Sequence, residues 1–270
     1  MKYSISNLSW GNTPLDKVIP KLSIAGLQGV EIAPTAIWSD LNRLRDQEII
    51  QFKKYLKKNN LVVSGIQSLL YGQPELQLFD QSRWGDLRRH LENMIRIGGL
   101  LGADVAVFGS PKNRQKGGLD LNRANDLANA FLIQLIPCLK ENNVVLTLEP
   151  NAPEYGADYL TTYEDVINLC RSLNTENIQP QIDTGCLWMV GSSPENGYKL
   201  RKPHHIHLSV PKLKSVPGTY NFDALMQEVN NTSYANWLVI EMLATEGNPL
   251  SQVLQAISWL TNYDKKLANV

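Results

Sequence analysis

The sequence has no surplus of either charge: across 270 residues, 26 basic side chains meet 26 acidic ones. It therefore lacks the long-range field that draws proteins to phosphate polymers or anionic membranes, and neither nucleic acid nor a membrane surface is an expected partner. Cysteine is scarce. Cys138, Cys170 and Cys186 are widely spaced and form no CxxC pair, which excludes a disulfide framework or a zinc knuckle and leaves free, reduced thiols. No stretch approaches the roughly 20 apolar residues that span a bilayer, and Met1 to Asn7 lacks the apolar run of a signal peptide. A cytoplasmic protein is expected. No segment has linker composition, so residues 1–270 are expected to form one domain with a sizeable core.

What is there is a regular alternation of two periodicities. Tyr3 to Ser9 alternates polar and apolar residues as a strand does, and Pro14 to Ala25 then places Leu15, Val18, Ile19 and Leu22 at helical spacing before Gly26. Further strands are expected at Gln28–Ala33, Leu61–Gln67, Asp104–Gly109, Val144–Glu149, Ile178–Asp183, His205–Ser209 and Trp237–Met242. Helices are expected between them at Asp46–Asn59, Arg83–Leu101, Leu121–Glu141, Thr161–Leu173, Pro194–Leu200 and Phe222–Asn230, with a last one at Pro249–Tyr263. Eight strands alternating with eight helices predict an α/β fold, a closed (β/α)8 barrel in a single domain. An open doubly wound sheet is disfavoured because no Gly-rich phosphate turn follows the first strand.

Four of these strands end in a side chain that can bind a metal or carry a proton. They are Glu149, fixed in extended geometry by Pro150, then Asp183, His207 and Glu241, separated by 34, 24 and 34 residues. In a barrel, the C-terminal strand ends surround the active site. Strand alternation puts Val145 and Thr147 on the inward face with Glu149, Gln181 with Asp183, and His205 with His207. Three converging carboxylates repel one another and resist desolvation unless a cation joins them. Their oxygens with one imidazole make a hard-leaning site for Mn²⁺, Mg²⁺ or Co²⁺, and Zn²⁺ is also compatible. A substrate carbonyl and neighbouring hydroxyl could chelate such an ion, which acidifies the C–H between them and stabilises an enediolate. Glu149 and Glu241 would then pass the proton, one on each face. Taken singly, each residue has a plainer reading: a salt-bridged strand-end acid, a turn-forming aspartate, a satisfied core histidine, a loop cap. The set of four on successive strands favours the metal site.

In order and spacing, LEPN (Leu148 to Asn151), IDTG (Ile182 to Gly185), HIHLS (His205 to Ser209) and IEM (Ile240 to Met242) resemble the xylose isomerase-like TIM barrels. That family includes sugar and sugar-phosphate isomerases and epimerases, dehydroshikimate dehydratases and AP endonucleases of the endonuclease IV type. The resemblance implies a divalent metal on Glu149, Asp183, His207 and Glu241, with Glu149 and Glu241 also acting as acid and base. Two departures mark a rebuilt substrate pocket. Cys186 stands where the 3-epimerases place a substrate-binding histidine, and Leu213 where they place an arginine. The endonucleases use many histidines, one of them at the end of strand three; here Gln67 holds that place, and His90, His204, His205 and His207 are too few for a three-metal DNA site.

Residues expected to meet substrate are Trp10, Gln67, Lys112, Arg114, Asn151, Cys186 and Lys212, all placed just beyond strand ends. Lys112, Arg114 and Lys116, with Lys212 and Lys214, could hold an anionic substrate group or be solvated loop charge. Trp10, Trp38 and Trp188 could wall a sugar ring. Glu31 on the second strand is expected either to face the barrel interior and meet a basic partner, the favoured reading, or to orient a substrate hydroxyl. The expected activity is a metal-dependent isomerase or epimerase of a sugar, sugar phosphate or related polyol. The alternatives are a dehydroshikimate-type dehydratase and a ligand-binding barrel without turnover. The sequence sets neither the sugar nor its phosphorylation, nor whether the chain forms a homo-oligomer.

Overall fold

The computed structural model describes residues 1–267, so the last three residues of the expected domain lie outside the described residues. Eight strands pair in sequence order, all parallel, and the first closes on the last to complete a barrel. They are β1 (Lys2–Ser6), β2 (Gly29–Ile32), β3 (Val62–Ile66), β4 (Val105–Phe108), β5 (Val145–Leu148), β6 (Ile178–Asp183), β7 (His205–Leu208) and β8 (Trp237–Ile240). The helices around them are α1 (Leu15–Ile24), α2 (Asp46–Lys58), α3 (Trp84–Leu101), α4 (Leu121–Leu132), α5 (Ile136–Asn142), α6 (Tyr163–Leu173), α7 (Thr184–Met189), α8 (Pro194–Leu200), α9 (Asp223–Asn231) and α10 (Pro249–Leu267).

Two differences from the expected eight helices have local causes. The long fourth helix is divided by a 3-10 turn at Ile133–Leu135, because Pro137 in the next turn has no N–H to continue the α ladder. The extra helix α7 starts directly from β6, with Asp183 as its N-cap accepting the Cys186 N–H at 2.6 Å. Six residues are too few to show a helical period in sequence.

Outward strand positions such as Ile5, Leu146, Leu148, Ile182, Ile206, Leu208 and Ile240 are completely buried under the helices. Each such side chain contributes about 1.5–3 kcal/mol. The inward positions are unusual for a barrel because many are polar. Ser4 and Ser64 share a hydrogen bond of 2.7 Å, Gln67 donates to Ser6, and Thr147 donates to Gln181 Oε1 at 2.6 Å. Glu31, His205 and His207 are fully buried among them. Gly65 makes this possible: a Cβ there would stand 2.7 Å from Glu31 Oε1, and the β2–β3 register shifts at Val30/Glu31.

Candidate active site

The IDTG and HIHLS segments form one interlocked seam. Thr184 Oγ1 donates to the Ser209 carbonyl at 2.6 Å and accepts the Ser209 N–H at 2.9 Å, while the Gly185 N–H donates to Ser209 Oγ at 2.9 Å. Ser209 Oγ in turn donates to Asp183 Oδ2 at 2.7 Å, so both oxygens of Asp183 are fixed. Gly185 is required by proximity, since a Cβ would lie 2.7 Å from Ser209 Oγ. The aspartate is thus both a turn-forming cap and a member of the cluster.

Glu149 is positioned from three sides. Gln181 Nε2 donates to its Oε1 at 2.8 Å, Asn151 Nδ2 to its Oε2 at 3.2 Å, and Arg114 Nη2 to its backbone carbonyl at 2.8 Å. Thr147, Gln181 and Glu149 face inward, as strand alternation predicted, and form a chain of hydrogen bonds across the barrel interior.

One ligand atom each from Glu149, Asp183, His207 and Glu241 lies within 4.8 Å of all the others. A six-coordinate divalent ion with bonds of about 2.1 Å needs ligand separations of about 3.0 to 4.2 Å. His207 Nδ1 faces the cluster, 2.9 Å from Glu149 Oε1, 3.0 Å from Glu241 Oε2 and 3.9 Å from Asp183 Oδ2. Its other nitrogen, Nε2, donates to Glu31 Oε2 at 2.8 Å, and His205 Nε2 donates to Glu31 Oε1 at 2.7 Å. With its one proton on Nε2, the neutral ring presents the Nδ1 lone pair to three carboxylates. Negative oxygens around a lone pair need a positive charge between them, which is a proton in the metal-free protein or a cation in the loaded one. The donor set therefore fits a divalent ion.

The electrostatics agree. Burial, with Glu149 and Glu241 nearby, lifts the Asp183 carboxyl to about 7, and burial raises Glu241 as well. Burial alone would lower His207, but Glu241 and Glu31 outweigh it and hold the ring well above its usual value. Glu31 is also opposed by burial, yet the two histidines hold it down at about 2. Among the described residues no lysine or arginine makes a salt bridge to Glu149, Asp183 or Glu241; their ion pairs run to His207.

A family model described as the xylose isomerase-like TIM barrel matches residues 19–263. The chain belongs to that family. No curated protein matches it. Among solved structures, it is similar to an L-ribulose 3-epimerase at 14% identity and TM-score 0.82, covering 100% of this chain and 96% of that one. It is also similar to a 3-keto-D-glucoside 4-epimerase from E. coli, at 16% identity and TM-score 0.79, covering 97% and 99%. A third is the probable 3-DHS dehydratase of petrobactin synthesis from Bacillus anthracis, at 14% identity and TM-score 0.76, covering 97% and 99%. At these identities the likeness is one of fold.

In this xylose isomerase-like barrel, a cavity of about 660 Å³ opens above the cluster, lined by Glu149, Asp183 and Glu241 with Gln67, Lys112, Asn151, Cys186 and Lys212. Trp10 and Arg114, expected to meet substrate, do not line it. A 3-10 turn at Asn7–Trp10 sends Leu8 to the cavity and Trp10 into the core, where it is 2% exposed. Arg114 ends another 3-10 turn, Pro111–Arg114, and folds beneath the site, 1% exposed, with Nη2 also donating to Asn151 Oδ1 at 2.6 Å. Burial lowers its guanidinium only to about 10, so it stays charged. Trp38 packs edge-on against Phe52, and Trp188 against Tyr220 and Phe222; among the described residues no tryptophan walls the cavity. Lys116 bonds to the Leu119 carbonyl at 3.0 Å instead.

The apolar wall comes from Leu213, noted in the sequence as a departure, and from residues the sequence did not single out: Leu8, Tyr71, Val107, Tyr155 and Leu243. All lie on or after strands, but neither period predicts which way a loop residue turns. Tyr155 Oη accepts the Lys212 N–H at 2.8 Å and ties the loop after β5 to that after β7. Burial pushes the Tyr155 phenol above its usual value, so it remains protonated. Lys212 and Leu213 both adopt left-handed backbone, at φ 62° and 50°. No helix among the described residues is long and apolar enough to cross a membrane.

Proposed function

We propose that this protein is a divalent-metal-dependent epimerase or isomerase of a sugar or related polyol, working by proton transfer beside a carbonyl. The observation that carries the reading is the convergence of three carboxylates on the buried His207 Nδ1, at 2.9, 3.0 and 3.9 Å, beneath a cavity that the carboxylates line. Glu149, Asp183, His207 and Glu241 would hold the ion, with Mn²⁺, Mg²⁺ or Co²⁺ best suited to three oxygens and one nitrogen. Bound there, it would polarise a substrate carbonyl and acidify the adjacent C–H.

The chain's own residues divide the remaining work. Asp183 is held at both oxygens by the Cys186 N–H and Ser209 Oγ, and His207 at Nε2 by Glu31, which suits both to the role of fixed ligands. Glu149 and Glu241, both at the cavity floor, would act as the acid and base: one removes the proton and the other returns it to the opposite face, which inverts the carbon. Apolar walls from Leu8, Val107, Leu213 and Leu243 keep bulk water from competing for the proton. Lys112 and Lys212 at the mouth would take hydroxyls or an anionic group of the substrate.

The test is deuterium uptake from D₂O by a panel of ketoses incubated with Mn²⁺-loaded protein. Uptake without loss of water supports the proposal, and Glu149→Gln or Glu241→Gln should slow it about 10²–10⁴-fold while ligand binding persists. Release of water with a new enone absorbance would mark a dehydratase. Binding without exchange, unchanged in Glu241→Gln, would mark a barrel without turnover.

A further inference from the structure

The cavity above the carboxylates does not end at its own wall. A second cavity of about 600 Å³ adjoins it and shares Ser68, Tyr71, Ser110, Pro111 and Lys112 with the first. The waist is built by the loops that follow β3 and β4. At equivalent positions in the two loops, Ser68 and Ser110 hold left-handed backbone, at φ 57° and 53°. Such strain in non-glycine residues is retained where the surroundings impose it, and it gathers at ligand clamps.

The second cavity is preformed. Asn113 is buried and ties its two sides together: Nδ2 donates to the Gln73 carbonyl at 2.7 Å and the Leu76 carbonyl at 2.9 Å, and its own carbonyl accepts the Leu78 N–H at 2.8 Å. The walls are ring faces and aliphatic surface, from Leu70, Tyr71, Pro74 and Pro111. Tyr71 stands at the shared lip with 72% of its surface exposed. A large aromatic left in water beside a rigid cleft is a platform for another ring, whether the C–H face of a sugar or an aromatic group.

Cavities of about 300–1,000 Å³ enclose drug-sized ligands, so the first cavity alone exceeds the needs of a free hexose, and the pair exceeds them further. We infer that the substrate is a keto-sugar linked to a second ring, with the sugar over Glu149 and Glu241 and the second ring between Tyr71 and Pro111. This rests on the proposed epimerase reaction but concerns what lies beyond the reacting ring.

The experiment uses calorimetry of the Mn²⁺-loaded protein with three probes: glucose, phenyl glucoside and a glucosyl disaccharide, each glycoside in both anomers. At least one extended probe should bind tenfold or more tighter than glucose, and Tyr71→Ala, at an exposed site that leaves the fold intact, should erase most of that difference. Preference for the phenyl compound identifies an aromatic second ring, and preference for the disaccharide a sugar. If no extended probe binds more tightly than glucose, or if Tyr71→Ala leaves the preference untouched, the inference is overturned. Proton exchange is read separately. Extended probes that bind tightly without any ketose exchanging its proton would sink the reaction and keep the two-ring cleft. Equal exchange rates on free and extended ketoses, unchanged in Tyr71→Ala, would do the reverse.

Discussion

Glu31 Oε2 lies 2.8 Å from His207 Nε2, across 176 residues of sequence and entirely out of solvent. The carboxylate anchors one ring proton on the side away from the cavity, so in the neutral ring the other nitrogen presents its lone pair to the cluster. Glu31→Gln keeps the shape but weakens this hold and allows the amide to present either N–H or oxygen to the ring. Affinity for Mn²⁺, measured by competition with a fluorescent chelator, should fall about 10–100-fold with the fold retained. Unchanged affinity would remove Glu31 from the site.

The raised carboxyls set a pH dependence with a definite sign. In the metal-free protein Asp183 titrates at about 7 against an ordinary 3.8, so the folded state binds its proton more tightly than the unfolded chain. The stability this contributes is complete below about 3.8 and is lost as pH rises through about 7; Glu241 and His207, both raised, act in the same direction. Glu31, held at about 2, acts oppositely, but its window lies below its ordinary 4.5. Metal binding requires unprotonated ligands, so the gap in melting temperature between Mn²⁺-loaded and chelated protein should widen from pH 5 to pH 8. A gap that stays constant over that range would show that these groups are not the ligands.

Gly109 lies just past β4, where a Cβ would collide with Glu149 Oε2. Gly109→Ala must therefore displace a carboxylate and not a backbone segment. We expect a loss of metal affinity of tenfold or more, by calorimetry, with a melting temperature within a few degrees of the parent in chelator. A fully active, fully metallated variant would mean that Glu149 has room to spare.

Arg114 is a buried cation whose Nη2 serves the Glu149 carbonyl and the Asn151 side chain together. Arg114→Met leaves both acceptors unpaired, at about 1–3 kcal/mol each, and urea unfolding should register the sum. Arg114→Lys should rescue little of it, because an ammonium on a flexible stem does not reproduce the fork of the guanidinium. Stability equal to the parent in either variant would refute this account.

The barrel and the four-residue cluster were legible because both follow strand periodicity: an alternation of two fixes which side chains face inward, and a strand end fixes their height. Glu31 was readable as an inward acid, but its partners His205 and His207 come from the opposite side of the barrel and no local pattern names them. Trp10 and Arg114 were misplaced for a different reason. Each closes a 3-10 turn, and three residues per turn cannot be told from irregular loop in sequence. The same holds for α7, whose short run is determined by the Asp183 cap and not by any apolar stripe.

The four clustered side chains all come from β5 to β8, whereas the waist between the two cavities is made by the loops after β3 and β4. On the proposed reading, proton transfer would fall to one half of the closed ring and the second ring of the substrate to the other, the two halves being joined by Glu31 from β2 and by Arg114 from the loop after β4. The loop after β3, which carries Tyr71 and bears none of the contacts that fix Glu149, could on that reading be exchanged, by natural drift or by design, to admit differently shaped molecules while the carboxylates keep their geometry.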